Sequence, residues 1–156
     1  MNEFNLPELS LPRFLHKIRI GDGQRTEIFD EFRKRFVALT PEEWVRQHML
    51  HYLVNYLRYP AGLLGVEVSL SVKKRKQRAD IVVYLKNLSP WMIVECKAPD
   101  VETGRDTFMQ AVRYNADLRV PFLVITNGKK LNAIQINGVS GETEMLTNMP
   151  EYPSNQ

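Results

Sequence analysis

The stretch RADIVVYLKNLSPWMIVECKAP, residues 78–99, decides the fold. It contains two apolar runs, over residues 78–85 and 91–98, joined by a polar connection. In the first run, Ile81 and Val83 alternate with Val82 and Tyr84, so both alternate faces are apolar. A sheet with one wet face would show a polar alternate face, so helices should cover both sides of this one. The pattern predicts an α/β or α+β sandwich.

The rest of the chain supplies the covering elements. Apolar pairs recur every four residues from Trp44 to Leu57, which is the pattern of one helix face. Thr40 is a suitable N-cap, and Pro41 suits the first helical position. The predicted elements, in chain order, are a hairpin over 17–29, this helix, strands over 66–72, 78–85 and 91–98, a helix over 103–118, and strands over 121–126 and 132–137. We therefore expect a lead-in with a small hairpin over residues 1–30, one globular domain over 31–140 and a flexible tail over 141–156.

Composition excludes several classes of protein. With 44% apolar and 25% charged residues among 156, the chain has the composition of a soluble globular domain. No run approaches the roughly 20 apolar residues that span a bilayer, so no membrane partner is expected. The single cysteine, Cys96, suits a reducing compartment, and a cytoplasmic location is expected. The net charge of +3 permits a nucleic-acid partner without requiring one.

Charged side chains interrupt the two apolar runs near the same end. Asp80 lies on the first, and Glu95 and Lys97 lie on the second. Glu95 and Lys97 share a face because side chains two apart on a strand point the same way. If the two runs pair as a hairpin, Asp80 joins them when it lies opposite Glu95 or Lys97. It misses them when it lies opposite Cys96, and loop length alone does not choose the register.

Charge balance gives these residues a chemical interpretation. A salt bridge at a strand end is the simpler reading, and exposed pairs of this kind are common and weak. However, two carboxylates and one lysine leave one negative charge unpaired among apolar strands, and a cation is the expected remedy. Hard oxygen ligands suit Mg²⁺ or Mn²⁺. Two carboxylates, a divalent ion and a lysine predict metal-assisted attack of water on a phosphodiester.

A family resemblance rests on the same residues. Asp80, followed after fourteen residues by Glu95-Cys96-Lys97, resembles the D…ExK signature of the PD-(D/E)xK nuclease superfamily. The blocks LTPEEWVRQHMLHYL, RADIVV, IVECKAP, QAVRYN and PFLVITNG, in this order, are similar to the N-terminal nuclease domain of type I restriction enzyme R subunits. The resemblance covers residues 30–137 and implies a restriction-endonuclease-like core, in which helices flank a central mixed sheet. Ala79 stands where the name-giving proline often lies, and we expect the nuclease-like module without the helicase motor of a full restriction subunit.

The resemblance implies roles for individual residues. Asp80, Glu95 and the backbone carbonyl of Cys96 would bind the metal ion, and Lys97 would position the attacking water. Glu43 would be the acidic residue that the first helix supplies, with Glu42 as the alternative. Glu43 equally fits a capping box in which it bonds back to the Thr40 amide, and the two roles can coexist.

Polar residues outside this cluster have two readings each. Gln110 and Tyr114 resemble the superfamily's QxxxY element, which would place Gln110 near the metal or the scissile phosphate. In the alternative interpretation, Gln110 is solvated and Tyr114 packs in the core. A basic run that leads into Asp80 is either a solvated turn or a track for DNA phosphates. Its members are Lys73, Lys74, Arg75, Lys76 and Arg78. Arg46 and Gln47 could contact DNA or decorate the helix surface.

These inferences predict a Mg²⁺- or Mn²⁺-dependent endonuclease domain that acts on DNA. The alternative is a nuclease-fold module with weak or no catalysis that binds nucleic acid or a partner subunit. Expected partners are DNA and other restriction-system subunits or a helicase. Homodimerisation would supply the two cuts of a double-strand break.

Overall fold

The computed structural model describes residues 4–116 and 118–154, except for the side chains of Val72, Arg75 and Tyr114. Two α-helices and nine strands make up its regular structure, together with a π-helix over Tyr52–Tyr56 and two short 3-10 turns. The helices are α1 (Pro41–His51) and α2 (Arg105–Ala116). The strands are β1 (Ile18–Ile20), β2 (Thr26–Asp30), β3 (Arg35–Ala38), β4 (Leu64–Val72), β5 (Arg75–Tyr84), β6 (Pro90–Cys96), β7 (Phe122–Thr126), β8 (Leu131–Ile136) and β9 (Thr143–Leu146).

The central sheet has six strands in the order β4-β5-β6-β7-β8-β9. The pair β6–β7 is parallel and the other neighbours are antiparallel, so the sheet is mixed. Helix α2 lies in the connection between the two parallel strands, as a parallel crossover requires. The predicted mixed α/β architecture is confirmed.

Each helix covers one face of this sheet. Val45, Met49 and Leu50 of α1 pack on the face formed by Ile81, Val83, Met92 and Val94. On the opposite face, Phe108, Ala111 and Val112 of α2 pack against Val82, Ile93 and Leu123. The two apolar faces of β5 and β6 are thus explained by two separate cores, as the sequence pattern predicted.

Helix α1 is buried on nearly all sides, whereas the sequence predicted a single apolar stripe. A second sheet, β1-β2-β3, contributes the buried side chains Ile28 and Asp30, and the Trp44 indole donates to the Pro7 carbonyl of the lead-in at 3.0 Å. Arg46 and Gln47, considered as surface or DNA-contacting residues, are 5% and 0% exposed. The amino-terminal region therefore encloses the polar side of α1.

Three boundaries differ from the sequence prediction. Strand β5 begins earlier, so only Lys73 and Lys74 form the turn and the rest of the basic run lies in the strand. Strand β3 was not predicted. The expected flexible tail contains β9, which pairs with β8, and Tyr152, whose hydroxyl donates to the Tyr84 carbonyl at 3.0 Å. Apolar contacts of Met149 and Tyr152 with the core explain this difference.

In the described part of the chain, no helix has the length and apolar character needed to cross a membrane.

The buried His48 makes stability depend on pH. Burial lowers its pKa to about 4, and the ring nitrogen Nδ1 lies 2.9 Å from the Trp44 carbonyl. Because the unfolded chain takes up this proton first, stability should fall as the pH decreases from about 6.5 to about 4. We expect urea denaturation to give about 2 kcal/mol less stability near pH 5 than near pH 7 from this group.

The variant His48→Gln should lose this part of the pH dependence, and His16→Gln, at an exposed position, should keep it. Burial lowers the pKa of His51 as well, so some slope should persist in His48→Gln. An unchanged slope in His48→Gln would contradict the assignment.

Candidate active site

The charged residues Asp80, Glu95 and Lys97 lie together where the pairing of β5 with β6 ends. The ladder pairs Ile81 with Val94, and continuing this register by one residue places Asp80 opposite Glu95. The Asp80 carboxylate accepts the Cys96 N–H at 2.8 Å through Oδ2, and it is close enough to the Glu95 carboxyl group for the two to share a hydrogen bond. The register that the sequence left open is thus the one that brings Asp80 and Glu95 together.

Glu95 has a strongly shifted acidity. Burial raises its pKa to about 8, and the neighbouring negative charge and hydrogen bond of Asp80 act in the same direction. The Lys97 ammonium acts in the opposite direction but does not outweigh them. Burial and the charge of Asp80 thus favour the protonated form of the Glu95 carboxyl group, beside a lysine.

Arg46 is the residue of the site that sequence reasoning missed. Its Nη2 donates to Asp80 Oδ1 at 2.6 Å, and its Nη1 donates to Glu43 Oε2. Burial alone would lower the Arg46 pKa, but the charges of Glu43 and Asp80 raise it further above its usual value. Arg46 thus supplies positive charge that the sequence argument assigned to a metal ion. Charge balance alone no longer requires a metal.

Glu43 lies on the far side of Arg46 from Asp80. Its backbone N–H donates to Thr40 Oγ1 at 3.0 Å, but the Thr40 N–H donates to the Ala38 carbonyl, so the reciprocal half of the capping box is absent. The carboxylate instead accepts hydrogen bonds from Arg33, Arg46 and Gln47. Three donors, two of them arginines, thus engage the Glu43 carboxylate.

Glu42, the alternative acidic residue, is electrostatically coupled to that pair. Its side chain is 46% exposed, and burial followed by the charge of Asp80 raises its pKa. Arg46 and Lys97 act on it in the opposite direction. Of the two acidic residues of α1, Glu42 is the one whose charge raises the Glu95 pKa.

A charge network behind Arg46 extends to the small sheet. Arg33 donates to Asp30 and Glu43, and to Glu67 Oε2 at 2.7 Å. Although burial alone would raise the Asp30 pKa, hydrogen bonds from Arg33 and Gln47 lower it. Glu67 has a left-handed backbone (φ 51°), unusual for a residue other than glycine. Sequence spacing gave no signal for this network, since its members lie up to 37 positions apart.

The remaining residues with predicted roles lie at a cavity beside the carboxyl pair and around the β4–β5 turn. Gln110 lines a cavity together with Glu95, Lys97 and Arg78. The exposed Arg78 also donates to Glu67 at 2.9 Å. Lys73, Lys74 and Lys76 are exposed around the β4–β5 turn. The side chains of Arg75 and Tyr114, to which DNA-binding roles were assigned, lie outside the described residues.

The carboxyl oxygens of Asp80 and Glu95 are ligands that suit a divalent ion. Among the described residues, however, no group of three or more acidic, histidine or cysteine side chains is arranged to hold a metal. A carboxylate offers about four lone-pair positions, and Asp80 uses two on Arg46 and the Cys96 N–H. A cation between Asp80 and Glu95 would relieve the repulsion between their charges. Glu42 acts on this pair through its charge, without meeting it at a common metal-ligand position.

Comparison with known proteins identifies the family. The family model described as "Type I restriction enzyme R protein N terminus" matches residues 41–150. A solved fragment assigned to an HsdR subunit of a type I restriction enzyme from Vibrio vulnificus YJ016 is 21% identical, with a TM-score of 0.40. The match covers 56% of this chain and 18% of the Vibrio chain, and this likeness is too low to support a statement about function. Curated proteins give no match. Since the family model spans well over half of the sequence, the chain belongs to the family of type I restriction enzyme R protein N-terminal regions.

Proposed function

We propose that this chain is a nuclease domain that hydrolyses phosphodiester bonds in DNA with Mg²⁺ or Mn²⁺. The observation that carries the proposal is the contact between the Asp80 and Glu95 carboxyl groups beside Lys97. Two adjacent carboxyl groups, one of them with a pKa raised by burial and by the other's charge, are a natural binding site for a divalent cation. Membership in the restriction-subunit family supports the same activity.

The proposed mechanism separates the residues that would bind the metal ion from the lysine that would act on the water and the phosphate. Asp80 and Glu95 would hold the ion, with the Cys96 carbonyl as a further ligand and Glu42 as the acidic residue from α1. The bound ion would supply Lewis-acid activation of the phosphate and a water of lowered pKa. Lys97 would orient that water and stabilise the negative charge that develops on the phosphate oxygens.

The site favours direct attack by water over a covalent intermediate. The Cys96 thiol, which directly follows Glu95 in the chain, is 1% exposed and packs in the core on the α1 face of the sheet. Burial raises its pKa well above the usual value, so the reactive thiolate is suppressed. The hydrolytic step would therefore depend on the carboxylates and Lys97.

Positive side chains beside the site would hold the DNA backbone. Lys73, Lys74 and Lys76 are exposed, and Arg78 borders the same cavity as Glu95. Contacts with phosphates should make binding weaken steeply with salt. Assembly with other restriction-system subunits or a helicase, and homodimerisation for a double-strand break, are part of the same proposal.

The test is metal-dependent cleavage of supercoiled plasmid and linear duplex DNA. Wild type should cut in Mg²⁺ or Mn²⁺ and be inactive in EDTA. Asp80→Asn should lose about 100-fold or more of the rate, because the amide can accept the Cys96 N–H but binds a cation poorly. Asp22→Asn, in the β1–β2 turn, is the matched control and should cut normally. Undiminished cleavage by a folded Asp80→Asn would refute the proposal.

A second candidate function follows from Arg46. Because its guanidinium already pairs with Asp80, the fold can balance its charge without metal, as a module that only binds nucleic acid would require. DNA binding that persists in Asp80→Asn, together with no cleavage by wild type in either metal, would favour this candidate.

A further inference from the structure

Strand β4 bends sharply at Glu67, on the strand beside Asp80. Glu67 is the only described residue that has a left-handed backbone (φ 51°) inside a strand. A methyl group at Gly65 would lie 2.5 Å from Val68 Cγ2, although residues three apart in a straight strand are ~10 Å apart. The chain therefore turns between these two positions.

The same bend carries both strands of the β4–β5 pair from one core to the other. Residues two apart on a strand share a face, yet Val66 packs in the core on the α1 side and Val68 in the core on the α2 side. Their ladder partners on β5, Ile81 and Ala79, divide between the two cores in the same way. Within this described stretch, the residues between these two pairs are not paired with each other. The twist therefore falls at Asp80 and the residue opposite it.

Asp80 reaches its partners because it lies at this twist. Its Oδ2 accepts the Cys96 N–H of the neighbouring strand at 2.8 Å, and its Oδ1 accepts from Arg46 of α1 at 2.6 Å. In a regular strand Asp80 would point to the face opposite Ile81, which is the α2 side, and therefore away from Arg46. The left-handed bend thus decides where the Asp80 carboxylate lies.

Ion pairs explain how a glutamate keeps this backbone conformation. The left-handed region is unfavourable for a residue other than glycine, and it persists only where surrounding contacts hold it. Glu67 Oε2 accepts a hydrogen bond from Arg33 at 2.7 Å and lies 2.9 Å from the Arg78 guanidinium. Arg46 lies 3.5 Å from Oε1. Because these arginines belong to the β2–β3 turn, β5 and α1, the carboxylate is held by three separate elements.

We propose that Glu67 is a positioning residue of the candidate active site, whose left-handed backbone places the Asp80 carboxylate at the end of β6. Glu67 acts through Asp80 rather than on the metal ion or the DNA. The catalytic consequence rests on the proposed function, since Asp80 is a proposed metal ligand. The site therefore requires a left-handed backbone at this position first, and a carboxylate second.

The first test compares glycine with valine in place of Glu67, because both lack the carboxylate. Valine is a good strand former, but its branched side chain does not fit the left-handed region, which glycine enters freely. We expect Glu67→Gly to melt at least ~3 °C above Glu67→Val. Ser69, an exposed residue of the same strand, is the matched control. There the order should reverse, with Ser69→Val more stable than Ser69→Gly.

Hydrogen exchange of the Cys96 amide reports the position of Asp80 without reference to activity. This N–H donates to the Asp80 carboxylate, so displacement of the carboxylate should speed its exchange. The rate is compared with that of the Ile93 amide in the same strand, which follows overall stability. Relative to Ile93, we expect Cys96 to keep its wild-type protection in Glu67→Gly and to lose at least ~10-fold in Glu67→Val.

In the nuclease, the same variants should change the chemical step more than DNA binding. We expect kcat of Glu67→Val to be at least ~10-fold below that of Glu67→Gly, with KM for DNA within ~3-fold. Glu67→Asn should recover most of the rate, because asparagine enters the left-handed region more readily than valine. A residue that served stability alone would leave kcat equal among the folded variants.

The outcomes separate this inference from the proposed function. Equal stability of Glu67→Gly and Glu67→Val, or equal relative protection of the Cys96 amide in both, overturns the positioning role. Failure of Glu67→Gly to fold also overturns it, because the carboxylate would then be the first requirement. If only Glu67→Val fails to fold, the predicted order holds and Glu67→Ala takes its place in the exchange comparison. Wild type that cuts no DNA in either metal overturns the nuclease proposal, while the melting and exchange comparisons still decide the role of Glu67.

Discussion

Replacing Lys97 by alanine should lower the rate of metal-dependent DNA cleavage by about 10²–10³-fold. The ammonium group lies beside Glu95, where the phosphate would carry its developing negative charge. Lys97 is only partly buried, and its backbone N–H bonds to the Thr126 carbonyl independently of the side chain. The fold should therefore survive the change. Single-turnover cleavage at saturating DNA measures the effect on the chemical step.

The design must separate catalysis from metal affinity, since Lys97 also influences Glu95. If the substitution acted only through metal affinity, raising the Mg²⁺ concentration would restore the rate. We expect no restoration, and partial activity in Lys97→Arg, which keeps the charge. Lys129→Ala, at the exposed β7–β8 turn, is the control and should match wild type. Full activity of Lys97→Ala would show that the lysine serves only as a salt-bridge partner.

Replacing Arg46 by methionine should destabilise the fold by about 3–5 kcal/mol. The change takes the guanidinium partner from the partly buried Asp80 and one of two guanidinium partners from the buried Glu43, and burial of an unpaired charge is costly. Methionine preserves most of the volume, so packing should contribute little. The free energy of unfolding from urea titration near neutral pH gives the measurement.

Two comparisons test this explanation. Arg13→Met removes a guanidinium from an ion pair whose side chains are 89% and 87% exposed, and it should change stability little. Adding Asp80→Asn to Arg46→Met should recover part of the loss, because the charge that lost its guanidinium partner is then removed. If Arg46→Met proved as stable as wild type, the carboxyl groups would be accommodating the change by protonation, and the network would add little to stability.

The sequence predicted the central strands because their signals are local. Alternation on β5 and β6 reports burial on both faces, and the spacing of Asp80 and Glu95 is compatible with a short hairpin. Strand β3 (RFVA) and strand β9 (TEML) were missed because each is only four residues long, with exposed residues among them. Local pattern reading has little to work with in such segments.

The assembly of the site depends on contacts that the sequence does not encode locally. Register decides whether Asp80 meets Glu95, and a shift of one residue would have separated them. The helical pattern places Arg46 on the exposed face of an amphipathic helix, but in the folded chain the amino-terminal region buries it. Glu43 accepts a hydrogen bond from Arg33 of the β2–β3 turn, a contact that the local sequence around Glu43 does not indicate.

The link from Asp30 and Arg33 through Glu43 and Arg46 to Asp80 has a consequence for how short the domain can be made. A polypeptide trimmed to residues 41–150, the part that matches the family model, would keep Glu43 and Arg46 but lose Arg33, which donates to Glu43, and Asp30, which accepts from Arg33 and Gln47. It would also remove Phe32, whose ring packs against His51 of α1. The smallest fragment suitable for recombinant production should therefore begin upstream of β2.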